Sequence, residues 1–353
     1  MLEDPVFSFS REETDVPFGI DCRPMYSQAM NDFVHWPFFG CLAVIVLYII
    51  FAIKFLRQYE GPGRPRGSKA HPYMGVFTVA DLDGAELRKS CWNAVHPRWL
   101  LGFRLFAFCY LLSLILINLY AEGFWMFNFF TQWTFSLLTA YFGVAAWVTY
   151  KHCLQLKYGE TESNTETLEE QIKLTSEDSM SLKLFDTKVD SSKPQAFRNE
   201  ITSPGRVGYV MQIMFQVAGA AVLMTDSVYW LILVPYVLPK SFQHNFIDIN
   251  LHCVNAVLLA IEILLNDMYY PWFRISYAVF WTSGYVFFQW ILHARGSKSW
   301  PYPFLDLATP WAPAWYAGLS FLHVTLAIFL MAIVNIKQYL VTQIQVPSGS
   351  IPI

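Results

Sequence analysis

Runs of about 20 apolar residues recur along the chain, the length that crosses a hydrocarbon core of about 30 Å as a helix rising 1.5 Å per residue. They predict seven membrane-spanning helices, at Trp36–Phe55, Trp99–Tyr120, Phe130–Tyr150, Tyr209–Leu238, Phe246–Tyr269, Trp272–His293 and Trp315–Tyr339. Tryptophans gather at or near the ends of these runs (Trp36, Trp99, Trp272, Trp300, Trp311, Trp315), where an amphipathic ring is stable at headgroup level. The fourth run is long and contains Pro235, which predicts a tilt or an early end at an interfacial turn. The expected fold class is therefore all-α, a polytopic bundle.

The polar stretches between the runs orient the bundle. Arg57, Arg64, Arg66, Lys69, Arg88, Lys89 and Arg98 crowd the loop 56–98, and Lys151, Lys157, Arg198 and Arg206 flank the loop 151–208. Both are expected on the cytosolic side. The connection Ala121–Phe129 has no Lys or Arg and the one after the fourth run has only Lys240, so these face away from the cytosol, as does the acidic tail 1–35. Arg295 and Lys298 run against this orientation. The stretch Leu154–Val207 is rich in Glu, Ser, Thr and Lys, has too few apolar residues to fold alone, and is read as a largely disordered linker.

Composition narrows the function classes. At 55% hydrophobic and 14% charged residues the chain carries more apolar surface than a soluble domain can hide. A formal charge of −3 offers no field for a nucleic-acid partner. The six cysteines are scattered without a metal-binding or disulfide spacing, and no HxxxH or HExxH pair occurs, so neither a metal nor another cofactor is expected. The partners implied are membrane lipids, in the endoplasmic reticulum or the plasma membrane alike.

The fifth run carries the most chemistry. Asp248, His252, Asn255, Glu262 and Asn266 follow one another at spacings of 4, 3, 7 and 4, a narrow stripe on one helix face. A carboxylate at the bilayer centre costs about 2.5–3.5 kcal/mol, so the stripe is expected to face the bundle interior or a hydrated cavity. Asn255 and Asn266 alone would be read as interhelical hydrogen-bond partners. His252 has Asp248 and Asn255 one turn to either side, and a neighbouring carboxylate fixes a histidine tautomer and raises its basicity. If the helix enters near Phe246, His252 lies about 9 Å deep. Thr131 at the start of the third run, Asp226 near the end of the fourth and His293 at the end of the sixth fall in the same layer, with the loop Trp300–Asp306, including Tyr302, positioned to cover them. A His oriented by a carboxylate is the usual means of activating a Thr hydroxyl, which makes Thr131 and His252 the candidate nucleophile and base.

Phe130-Thr-Gln-Trp133 opening a span, the His252 helix with Glu262 following, and the late His293…Trp300-Pro-Tyr-Pro-Phe-Leu-Asp306 together resemble the family that joins androgen-induced-gene and rolling stone proteins, over roughly Trp99 to Tyr339. The Asn255-containing helix is most similar to the rolling stone branch and its plant relatives. The resemblance implies membrane hydrolysis of fatty acid esters of hydroxy fatty acids, with Thr131 and His252 as the catalytic pair, His252 standing ten residues before Glu262 as in the androgen-induced branch. Cys253 follows His252 where that branch has Thr, and Asp248 stands where it has Asn. Two readings follow: a lipid-ester hydrolase in which Asp248 or Asp226 orients His252, or a non-enzymatic receptor or scaffold of the rolling stone type, for which the sequence implies no particular protein partner.

Overall fold

A computed structural model describes residues 33–60, 90–92, 95–176, 205–297 and 299–345, without the side chains of 158–176, 205 and 345. The described part of the chain is all-helical. Its helical segments are α1 (Trp36–Glu60), α2 (Pro97–Glu122, running into a 3-10 turn Gly123–Asn128), α3 (Phe130–Ser176), α4 (Gly205–Val228, continued by a π-helix Tyr229–Val237), α5 (Phe246–Ile249, a π-turn Asn250–Val254, then Asn255–Leu265), α6 (Ile275–Ala294) and α7 (Ala312–Gln345). Among the described residues, five of these are long and apolar enough to cross a membrane: α1, α2, α4, α5 and α7. They mark the chain as a membrane protein.

The other two helices, α3 and α6, occupy predicted spans but are more polar. The first half of α3 carries Thr131, Gln132, Thr134 and Thr139, and α6 carries Thr282, Ser283, Tyr285 and Gln289. Most of these polar side chains are buried: Gln132, Thr134, Thr139, Ser283, Tyr285 and Gln289 are all under one-tenth exposed. The polarity that lowers these helices on an apolar scale is thus turned into the protein.

Local chemistry explains the helix ends. Pro97 sits in the first turn of α2, where its missing N–H costs nothing, and His96 caps the helix by accepting from the Arg98 N–H at 3.2 Å. Gly123, at φ 62°, ends it. At the start of α5, Asn245 and Asp248 form a reciprocal capping box: the Asp248 N–H donates to Asn245 Oδ1 (2.8 Å) and the Asn245 N–H to Asp248 Oδ2 (3.1 Å). The far end of α5 is capped from elsewhere in the chain. Ser90 Oγ and the Cys91 N–H donate to Leu265 O, Trp92 Nε1 to Leu264 O (2.9 Å), and Lys337 Nζ to Asn266 O (2.6 Å).

Two observed features differ from the sequence expectation. The helix α3 does not stop near Tyr150 but continues to Ser176, across the first half of the stretch expected to be a linker. Glu, Gln, Leu and Lys dominate that extension and propagate a helix once the span has nucleated it, whatever their lack of apolar surface. Residues 177–204 of that linker, the tail up to Asp32 and most of the loop after α1 lie outside the described residues. Pro235 does not end α4 early; the chain loosens into a π-helix that carries it to Val237.

The helix α4 is the hub, packing against α3, α5, α6 and α7. Its Ala218, Gly219, Ala220 and Ala221 let neighbours approach closely. Two apolar cores flank it. One joins α2, α3, α4 and α5 around Leu111, Leu138, Phe142, Phe215 and Leu258. The other joins α1, α6, α7 and the Tyr302–Leu307 loop around Ile45, Val286, Trp290 and Tyr316. Gly40 marks the tight meeting of α1 and α7, where a Cβ would stand 2.7 Å from Pro313 Cγ.

Candidate functional site

A cavity opens within the second of these cores, where α1, α3, α4, α5, α6, α7 and the Tyr302–Leu305 stretch converge. Phe130 and Thr131 of α3, Thr225 and Val228 of α4 and His252 of α5 line one side; Tyr48 of α1, Thr282 and Tyr285 of α6 and Ser320 of α7 line the other, with Tyr302 and Phe304 of the loop also in the wall. No Lys, Arg, Asp or Glu is among its lining residues. Mostly apolar walls with a few converging polar groups are the usual form of a small-molecule site.

Helix register brings Thr131 and His252 to one level. Thr134 faces Thr225 across α3 and α4 with their hydroxyls 3.1 Å apart, so three residues back along α3 and three on along α4 set Thr131 beside Val228. The next residue, Tyr229, stacks flat on the His252 ring, centroids 3.6 Å apart and planes 3° from parallel. Both residues lie in π-helical turns, Tyr229–Val237 and Asn250–Val254, whose extra residue per turn presents the two rings face to face. Such turns are rare and concentrate at functional sites.

His252 is buried, at 7% exposure, and its Nδ1 stands 3.5 Å from Asp226 Oδ1. That is ion-pair distance without hydrogen-bond alignment; Nδ1 and Asp226 Oδ2 have no hydrogen-bond partner among the described residues. Asn255 Nδ2 donates to the same Asp226 Oδ1 at 3.2 Å and holds the carboxylate in place. Trp230 Nε1 donates to the His252 carbonyl (2.9 Å), and Tyr229 Oη lies 2.9 Å from His244 Nδ1. Between the two carboxylates considered for orienting His252, the geometry favours Asp226, because Asp248 is committed to capping α5.

Thr131 is half-buried at the first turn of α3, against Tyr302. Tyr302 Oη accepts from the Phe130 N–H at 3.1 Å and lies within hydrogen-bond reach of Thr131 as well. Burial pushes the Tyr302 phenol up from its ordinary range, and the hydrogen bonds from Thr131 and from the backbone of Phe130 and Thr131 pull against it. With those N–H groups donating to it, the phenol retains its own proton for donation.

The remaining sequence candidates lie elsewhere. His293 stacks on Trp300 at the end of α6, centroids 4.2 Å apart, and is not in the cavity wall. Glu262 belongs to a separate network: fully buried, it pairs with Arg104 at 2.6 Å and accepts from Tyr141 Oη at 2.6 Å. Among the described residues no group of His, Cys, Asp and Glu is arranged to hold a metal ion.

Sequence reasoning missed Tyr48, Tyr229, Thr282 and His323. They stand on different helices, so only the packing could join them. The capping role of Asp248 was readable, since Asn245 stands three residues before it at the start of an apolar run. Compared with models of known families, with curated proteins and with solved structures, the chain matches none.

Proposed function

We propose that the chain is a seven-span membrane hydrolase of lipid esters, its N-terminus on the extracytoplasmic side, using Thr131 as nucleophile and His252 as general base and then acid. The observation that carries this reading is the opening of Thr131, His252 and Tyr302 into one apolar cavity, with Asp226 behind the imidazole. In it, Thr131 Oγ1 attacks the acyl carbonyl while His252 takes the hydroxyl proton through Nε2. Asp226, turned slightly into line with Nδ1, stabilises the imidazolium. The Tyr302 phenol donates to the oxygen on which negative charge develops. His252 returns the proton to the leaving alcohol, and water, activated by the same imidazole, releases the acid and restores Thr131.

Polar α3 and α6 fit as the sixth and seventh crossings because their polar faces are buried and their remaining faces carry exposed apolar side chains such as Trp147 and Ile291. The resemblance of Phe130–Trp133, the His252 helix and the Trp300–Asp306 loop to the androgen-induced-gene and rolling stone family points to the same pair of residues and to fatty acid esters of hydroxy fatty acids as the substrate class. A cavity set within the bundle suits a substrate whose chains stay in an apolar medium throughout. The test is acid release from fatty-acyl ester lipids by purified protein in nanodiscs. Wild type turns over and Thr131→Ala and His252→Ala each lose activity by about 10²-fold or more, while both still purify as folded monodisperse protein. Equal turnover in either variant contradicts the mechanism.

A further inference from the structure

The cavity has a second polar station that the proposed chemistry does not use. Thr282 lines the cavity across from the His252 wall, and its Oγ1 lies 2.9 Å from Nδ1 of His323, which stands behind it on α7. Tyr48 of α1 lines the same side, and its buried Oη has no hydrogen-bond partner among the described residues. Ser320 adds a third hydroxyl one turn from His323 on α7. The rings of Trp133 and Trp281 meet at 5.6 Å, which sets Thr282 near the level of Thr134, about one helical turn deeper than Thr131.

The proton inventory points this station into the cavity. His323 is 1% exposed and its Nε2 has no hydrogen-bond partner among the described residues. A buried N–H left without an acceptor is rarer than a bare lone pair, so the favoured tautomer puts the proton on Nδ1, donating to Thr282 Oγ1. The Thr282 O–H is then left to donate elsewhere, and Tyr48 Oη has both its proton and its lone pairs unused. Donors and acceptors buried in this way cost free energy until something in the cavity answers them.

What answers them is uncharged. No Lys or Arg lines the cavity, and the one ionisable lining side chain able to carry positive charge, His252, already has Asp226 as its counter-ion. A carboxylate or phosphate brought inside would be desolvated without compensation. We infer that the ligand is a neutral ester carrying a free hydroxyl close to its ester group, the arrangement of a partial glyceride, with Thr282 and Tyr48 binding the hydroxyl while the ester faces Thr131. This rests on the cavity being the lipid-ester site proposed above but departs from the substrate class that the resemblance points to: an ester of a hydroxy fatty acid bears a free carboxylate and has its hydroxyl acylated, and the cavity sets neutral hydroxy-esters ahead of it.

The test is binding rather than turnover. Full-length Thr131→Ala protein in nanodiscs is labelled with a photoreactive oleoyl ester, and labelling is competed by monooleoylglycerol, methyl oleate or oleate, each titrated as a fraction of bilayer lipid. Monooleoylglycerol is expected to compete at about five- to tenfold lower fraction than methyl oleate, the worth of about one neutral hydrogen bond, with oleate weakest. Thr282→Val, and separately Tyr48→Phe, should each bring the ratio of monooleoylglycerol to methyl oleate towards one. Equal competition by the two esters, a ratio unchanged in both variants, or oleate competing best would overturn the inference. Because nothing is turned over, the ratio is independent of the hydrolase reading. A clear ratio in protein whose wild type hydrolyses nothing keeps the station and removes the enzyme; hydrolysis without a ratio does the reverse.

Discussion

Two buried polar regions lie on the same helix, α5, and they are built in opposite ways. Around Glu262 every strong group is answered: Arg104 donates from Nε and Nη2 to Glu262 and from Nη1 to Thr149 Oγ1, Tyr141 Oη donates to the carboxylate, and Thr149 Oγ1 in turn donates to Ala145 O. Around His252, about 15 Å along the helix by its rise, Nδ1 and Asp226 Oδ2 are buried without hydrogen-bond partners among the described residues. Both regions hold ionisable groups in an apolar setting, so burial and charge do not tell a site from a strut. Satisfaction does: a closed network spends its hydrogen bonds on holding helices together, whereas an open one beside a cavity keeps them for a ligand.

The largest effect expected from this contrast is on stability. Glu262→Leu leaves the Arg104 guanidinium buried without its counter-ion and should destabilise the protein by about 3–5 kcal/mol in thermal or denaturant unfolding, whereas the double change Arg104→Met with Glu262→Leu should recover most of that loss. A double variant as unstable as the single one would mean that the pair contributes more than mutual neutralisation. Next in size, Tyr302→Phe should lower turnover by about 10²-fold with little change in the unfolding midpoint, because it removes one donor to the developing oxyanion. Loss of stability instead would reassign Tyr302 to packing the loop onto α3. Smallest is Gly40→Ala, whose Cβ meets the rigid Pro313 ring and should cost about 1–3 kcal/mol by forcing α1 and α7 apart. An unchanged midpoint there would show that the α1–α7 contact yields easily and that the cavity wall it supports is soft.

The helix positions were legible because apolar length is a strong signal: the starts of α1 and α5 coincide with the predicted ones at Trp36 and Phe246, and α3 begins at Phe130 as read. Thr131 and His252, which the sequence places near the starts of two helices, both line the cavity. Other features were not legible. The π-turns at Tyr229–Val237 and Asn250–Val254 use residues that would serve equally in an α-helix, and only the stacking of Tyr229 on His252 shows what the extra residue achieves. His323 stands in an apolar run on α7 and gains meaning only from Thr282, on another helix 41 residues away. The extension of α3 to Ser176 was hidden by a composition that argues against independent folding but not against continuing a helix already begun.

The most direct test of the central claim is to treat the folded wild-type protein in nanodiscs with a fluorophosphonate and map the adduct by peptide mass spectrometry. The account predicts a phosphonylated Thr131, with the adduct lost in His252→Ala and in Thr131→Ala. Modification at Thr282, or no modification in protein shown to be folded, would contradict it.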